Sequence, residues 1–282
     1  MVKKIYDRSP QLKRKINESL FCKLDCRSSN SSIQEITFLS FLYTLSGVSS
    51  IDISAVPEVV YEVRKAISYA ILKAKQLSIE IEFPPLLMAS IEKSLLDENT
   101  IPELKSLFKR YVKYGAETFE IHIDSFDINS LNEQLTIVKE LLPNQLVSIS
   151  LSRKKLSNSN IVEIIKSGRE IFKEKLIVEV DGLEENSFES DYNTTLQNIS
   201  TADIINKQLK LKDRKFRHLP IILSGGTNSF TSLLAEQCGV PFNGITICDH
   251  SSRVLGLSNI EYSSISDFQI KSALASAVKL IK

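Results

Sequence analysis

The segment Glu120-Ile121-His122-Ile123-Asp124 places three titratable side chains at alternate positions of an otherwise apolar run. If the run is a β-strand, Glu120, His122 and Asp124 project from one face of it. A carboxylate beside an imidazole can perform general acid–base catalysis, because it stabilises the imidazolium that forms when histidine takes a proton. The same pair also occurs as an orienting hydrogen bond without a catalytic role. Both interpretations stay open here, and Glu120 and His122 are candidate catalytic residues.

Lys23 and Asp181 complete the candidate catalytic set, and each lies in a short apolar run of strand length. Helices cover the outer face of a parallel barrel, so the polar members of its strands must face the barrel axis. Alternation along the predicted strands gives the expected inward set: Lys23, Asp25, Asp52, Ser54, Glu120, His122, Asp124, Ser148, Ser150, Ser152, Glu179, Asp181, Ser224, Thr246, Cys248 and His250.

From this set we predict one coupled cluster of Lys23, Asp52, Glu120, His122 and Asp181, which are also candidate ligand-binding residues. One interpretation is a buried ion-pair network in which Lys23 serves two acidic neighbours. The other is a polar ligand pocket at the barrel mouth, because function is the usual reason to bury charge. Excess carboxylates could bind a cation or a donor-rich ligand, or one carboxyl could stay protonated for acid–base work. Schiff-base chemistry would fall on Lys23 and would require its amine to be neutral.

The run Ser224-Gly225-Gly226-Thr227-Asn228 follows the predicted seventh strand and leads into a helix. Backbone N–H groups at a helix N-terminus bind anions, and barrels frequently bind phosphate after strands seven and eight. We therefore add Ser224, Gly225, Gly226, Thr227 and Asn228 to the candidate ligand-binding residues. Arg253, just past the eighth strand, could supply a bidentate contact to the same anion. The alternatives are a tight turn with Asn228 or Ser229 as the helix N-cap, and a surface arginine.

Eight apolar runs of strand length alternate with amphipathic runs of helix length. Eight such units on a chain of this length predict an α/β fold of the (β/α)8 TIM-barrel type, with an open doubly wound sheet as the alternative. We expect a single barrel domain over 1–282, with an N-terminal lead over 1–20 and a long loop over 183–199. The predicted strands are Phe21–Cys26, Ser50–Ser54, Ser78–Phe83, Thr118–Asp124, Leu146–Ser152, Leu176–Asp181, Leu219–Ser224 and Gly244–His250.

The composition excludes several classes of protein. The 282 residues carry a net charge of +1, so nothing favours binding to nucleic acid or to an anionic membrane surface. The basic N-terminal segment lacks the apolar core of a signal peptide, and no run approaches the length of a membrane span. The four cysteines contain no CxxC pair, which favours a reducing compartment. We expect a cytoplasmic or plastid-stromal protein.

Several motifs occur in the order seen in the light-dependent period proteins of cyanobacteria, and the chain resembles that family over nearly its whole length. The most specific are the run 51–60, IDISAVPEVV, and the run 223–231, LSGGTNSFT. Further matches are 21–26, FCKLDC; 43–47, YTLSG; 120–122, EIH; 181–182, DG; and 252–255, SRVL.

The resemblance implies a redox-responsive iron–sulfur protein that feeds light or electron-transport status into the circadian clock. Its partners would be proteins of the clock or of photosynthetic electron transport. The family carries a cysteine-rich insertion after the third strand, whereas this chain has no cysteine between Cys26 and Cys238. An iron–sulfur cluster needs closely spaced thiolates, so we expect no cofactor here.

Two functional hypotheses follow. The first is a regulatory or ligand-sensing barrel of the light-dependent period type, without a cluster. The alternative is a TIM-barrel enzyme of the lyase or isomerase type that acts on a small anionic metabolite. The fold hosts both kinds of protein, so the site must decide between them.

Overall fold

The computed structural model describes residues 14, 21–26, 32–182, 192–225, 227, 229–247 and 261–281. Within these ranges eight parallel strands pair in chain order, and β8 pairs with β1 to close the barrel. The predicted TIM-barrel fold is confirmed. The strands are β1 Phe21–Asp25, β2 Ser50–Ser54, β3 Leu86–Ile91, β4 Thr118–Ile123, β5 Leu146–Ser152, β6 Leu176–Asp181, β7 Ile221–Ser224 and β8 Gly244–Ile247.

Helices follow the strands and cover the outside of the barrel. Their ends carry local signals: the Ser32 side chain accepts from the Glu35 N–H at the start of the first helix, and Thr100 and Glu103 form a capping box. The α-helices of the described residues are α1 Ile33–Ser46, α2 Pro57–Leu77, α3 Lys93–Glu98, α4 Ile101–Tyr114, α5 Ile128–Leu141, α6 Asn158–Phe172, α7 Tyr192–Ile205, α8 Ser229–Gln237 and α9 Asp267–Ile281. Within those residues every helix is too short or too polar to cross a bilayer.

The third strand differs from the prediction. It is Leu86–Ile91 rather than Ser78–Phe83, and every residue of it is buried. The segment 78–83 alternates between apolar and polar residues, as a half-exposed strand would, but it follows the end of α2 at the surface. Strands of a parallel barrel are covered on both faces and are therefore continuously apolar. The residues directly after the predicted third strand, where the resemblance implies the family's insertion, therefore contain β3.

Smaller differences concern the loops. The short helix α3 has no counterpart in the prediction. The loop expected over 183–199 is partly helical, because α7 begins at Tyr192; residues 183–191 lie outside the described residues. The expected end of the eighth strand, 248–250, also lies outside them.

The N-terminal end of the barrel interior is apolar. Phe21, Leu86, Ile177 and Ile222 form a buried cluster of their own, with Leu146 packed against it. These residues share strand faces with the inward polar residues that follow them along the chain. Gly244 allows the barrel to close beside them: a Cβ at this position would lie 2.1 Å from the Phe21 carbonyl oxygen. The inward polar residues therefore lie above an apolar layer formed by Phe21, Leu86, Ile177 and Ile222, which we call the apolar floor.

Candidate functional site

Lys23 is buried in the barrel interior at the meeting point of three carboxylates from three other strands. Its Nζ lies 3.2 Å from Asp52 Oδ2, 2.8 Å from Glu120 Oε2 and 2.6 Å from Glu179 Oε2. All four side chains are at most 1% exposed. We call Lys23, Asp52, Glu120 and Glu179 the lumen cluster. On β3, the Ser90 hydroxyl donates to Asp52 Oδ1 at 2.7 Å and fixes the orientation of that carboxylate.

The lumen cluster contains more acidic than basic groups. Three ionised carboxylates around one ammonium would leave a net charge of −2 in a space closed to water. Repulsion between buried like charges favours a protonated carboxyl in such a group. The same carboxylates favour the ammonium form of Lys23. In the same lumen the hydroxyls of Thr118, Ser150 and Thr246 are buried without a hydrogen-bond partner among the described residues.

His122 connects the lumen cluster with the barrel mouth. Its Nε2 lies 3.3 Å from Glu120 Oε1, and its side chain is 30% exposed. An ionised Glu120 favours the neutral tautomer that carries its proton on Nε2, which places the lone pair on Nδ1. When His122 takes a second proton, the carboxylate stabilises the imidazolium. The pair has the arrangement of a supported acid–base group.

A small pocket lies beside His122 at the C-terminal end of β4. Two carboxylates in it have partners: Asp124 accepts from Lys155 Nζ at 2.9 Å, and Asp127 caps α5 by accepting from the Asn129 N–H. His122 is therefore a titratable base at this pocket, and its imidazole contacts the buried carboxylate of Glu120. The lining residues are His122, Ile123, Asp124, Ser125, Asp127, Ser130, Leu131 and Gln134.

The structure brings four residues of the predicted cluster together, and the membership of the fifth, Asp181, stays a prediction. Lys23 contacts Asp52 and Glu120, and Glu120 contacts His122. On β6 the ion pair with Lys23 is made by Glu179, which the sequence analysis placed inward but left out of the cluster. Asp181 lies two residues further along β6, half-buried, in register with Ser152 and Ser224.

The turn after β7 is tied down by its own side chains. The Thr227 hydroxyl donates to the carbonyls of Leu223 and Thr246, and Asn198 Nδ2 donates to the Ser224 carbonyl at 2.7 Å. Gly225 has φ of 87°, a conformation that favours glycine. The Thr227 hydroxyl and the Ser224 carbonyl thus hold this turn in place, and an anion site here stays a prediction. Gly226, Asn228 and Arg253 lie outside the described residues.

A search for metal-ligand geometry covers the described side chains only. No group of three or more His, Cys, Asp and Glu residues within them has the arrangement of a metal site. Cys22 and Cys26 are buried thiols on or next to β1, and Cys238 is exposed. The expected absence of an iron–sulfur cluster stays a prediction from the cysteine spacing.

No protein-family model and no curated protein sequence matches the chain. Solved structures do match it. A proposed deoxyribose-phosphate aldolase from Toxoplasma gondii ME49 has a TM-score of 0.57 at 11% identity, covering 93% of this chain and 100% of its own. QR15, described as an aldolase, has a TM-score of 0.55 at 13% identity, covering 85% and 96%. The YdjI aldolase of Escherichia coli K12 has a TM-score of 0.52 at 10% identity, covering 95% and 92%.

These comparisons do not bear on the resemblance to light-dependent period proteins, so its implied role in circadian timing stays a prediction. At 10 to 13% identity, likeness in structure speaks only for the fold. The chain has the TIM-barrel fold that these aldolases share.

Proposed function

We propose that the protein is a TIM-barrel enzyme of the lyase or isomerase type that acts on a small anionic metabolite, with His122 as its acid–base group. One observation carries this proposal: His122 is 30% exposed at the mouth, while Glu120 behind it is fully buried and bound to Lys23. Barrel enzymes place their chemistry at the C-terminal ends of the strands, where His122 lies.

The proposed chemistry is proton transfer beside a carbonyl group. His122 takes a proton from carbon or from a hydroxyl of the substrate, and the Glu120 carboxylate stabilises the resulting imidazolium. Returning the proton at another atom gives an isomerisation. Cleavage of the adjacent carbon–carbon bond after proton removal from a hydroxyl gives a lyase reaction, in which the His122 imidazolium returns the proton to the product carbanion.

In this proposal Lys23 does not react with the substrate; it acts through its ion pair with Glu120. A Schiff base requires a neutral amine that can reach the substrate. Lys23 is 1% exposed and lies within 3.2 Å of three carboxylates, which favours the charged ammonium. Its role in the proposal is to hold Glu120 ionised and in position beneath His122.

The structural neighbours support a lyase activity, because the three described above are named as aldolases. For one of them the name is itself a proposal. Those activities belong to the neighbours; for this chain the support comes from His122 and the buried Glu120 behind it. A regulatory barrel that only binds a ligand is the competing class, and the experiment separates the two.

The test begins with a panel of phosphorylated and carboxylated aldehydes, ketones and hydroxy acids. Compounds that raise the melting temperature are then assayed for turnover. We expect His122→Asn to lower kcat by about 100-fold or more, the size of a general acid–base contribution. His218→Asn, at an exposed histidine before β7, is the matched control and should leave kcat unchanged. Binding without turnover, or equal turnover by His122→Asn, contradicts the proposal.

A further inference from the structure

Arg153 lies at the barrel mouth, immediately after the last residue of β5. Its backbone N–H donates to the Asp181 carbonyl at 2.7 Å, which anchors it between the C-terminal ends of β5 and β6. The neighbouring β4 carries His122, in register with Ser150 three residues before Arg153. Arg153 therefore stands on the same face of the barrel as the proposed acid–base group.

Arg153 differs from comparable arginines of the described residues in that no hydrogen-bond partner is found for its buried Nε. The side chain is half-buried, and its Nε is buried without a hydrogen-bond partner among the described residues. The other described arginines that are not exposed are paired: Arg64 contacts Glu117, and Arg169 contacts Glu174 and two backbone carbonyls. Neither of these lies at the mouth.

An unpaired, partly buried guanidinium is costly, because it loses water without gaining an acceptor. A buried polar group without a partner requires an explanation, and a ligand that supplies the missing acceptor is one. The planar fork of arginine fits the paired oxygens of a carboxylate or a phosphate. One acidic group of the pocket, Asp124, is paired with Lys155, so it does not compete strongly for Arg153.

We propose that Arg153 binds the anionic group, phosphate or carboxylate, of the ligand at the barrel mouth. This deepens the proposed function, on which it rests for the idea of a small anionic substrate. It places the anion beside β5 and β6, close to His122, rather than at the turn after β7. Binding turns the fork toward the anion, which supplies the acceptor that Nε lacks among the described residues.

The test titrates the full chain with inorganic phosphate, and separately with acetate, at constant ionic strength held with chloride. Binding is measured by calorimetry and by the shift in melting temperature. We expect Arg153→Gln to weaken phosphate binding by about tenfold or more and Arg153→Lys to weaken it less, because the lysine keeps the charge but not the fork. Lys154→Gln, which removes the same charge from the exposed neighbour, is the control and should change affinity less than about twofold.

Equal affinity in wild type and Arg153→Gln overturns the proposal, as does the absence of any effect of phosphate or acetate on wild type. A second measurement separates a ligand-binding role from a structural one. In chloride alone, Arg153→Met should melt at or above the wild-type temperature, because a strained functional group has been removed. A fall of several degrees identifies a structural partner and also overturns it. None of these outcomes requires turnover, so they are independent of the His122 experiment.

Discussion

Replacing Lys23 by Met removes the one cation of the lumen cluster. Three carboxyl groups with at most 1% exposure then remain together. To keep the net charge of the wild-type cluster, the folded variant must bind one more proton than the wild type. Holding a proton on a glutamate of ordinary pKa, about 4.3, costs about 1.4 kcal/mol for each pH unit above that value.

The free energy of unfolding should therefore fall by about 4 kcal/mol at pH 7, which agrees with the usual cost of about 3–5 kcal/mol for breaking a buried ion pair. At pH 5 the same calculation leaves a loss of about 1 kcal/mol. The sign follows from proton binding: between these pH values the folded variant holds a proton that the unfolded chain has released, so its stability falls as pH rises.

The assay is urea unfolding of wild type and Lys23→Met at both pH values, followed by circular dichroism. Lys166→Met, which removes a surface lysine paired with Glu163, is the control and should change little. If Lys23→Met does not fold, the double variant with Glu179→Gln removes one charge of each sign and should recover part of the stability. A variant as stable as wild type at pH 7, or a loss that is equal at the two pH values, refutes the reasoning.

Three other substitutions or measurements test separate parts of the structure. Gly244→Ala should cost about 3 kcal/mol or more in the free energy of unfolding, because its Cβ would lie 2.1 Å from the Phe21 carbonyl oxygen; an alanine variant of wild-type stability in urea argues against this strand closure. Burial lowers the pKa of Lys210 from 10.5 to about 8. Between those pH values the unfolded chain binds a proton that the folded protein has released, so the free energy of unfolding of the wild type should rise with pH. Lys210→Met should be more stable by on the order of 1–3 kcal/mol at pH 7 and lose this advantage above about pH 10.5, whereas a pH-independent difference would contradict the shift. Protein purified without oxygen should be colourless, because its cysteines lack cluster spacing, and stoichiometric iron and sulfide would show the opposite.

The sequence predicts the face of most strands well, because coverage by helices leaves polar residues only one direction in which to point. This is why Lys23, Asp52, Glu120 and His122 meet as expected. Alternation fixes the face but not the height of a residue in the barrel, since height depends on register. Glu179 and Asp181 share a face, and the pairing of β6 with its neighbours brings Glu179 to Lys23.

The third strand is not predicted from the sequence, because it lacks the alternation that identifies the other strands. Its six residues contain little alternation, because both of its faces are buried, while the surface segment before it alternates strongly. Arg153 carried no signal of either kind, since it follows the strand and alternation says nothing about loops. The buried Nε of Arg153 is recognised as lacking a partner only when the contacts of the described arginines are compared.

The apolar floor of the barrel has a consequence for how the lumen cluster responds to its surroundings. Phe21, Leu86, Ile177 and Ile222 are buried at the N-terminal end, whereas His122 is 30% exposed, so we expect protons to exchange with solvent past His122. A ligand bound over the His122 imidazole would slow proton exchange between the lumen cluster and the solvent for as long as it stayed bound. The ammonium hydrogens of Lys23 should then exchange with water more slowly in the complex than in the ligand-free protein, and the residence time of the ligand would set the rate.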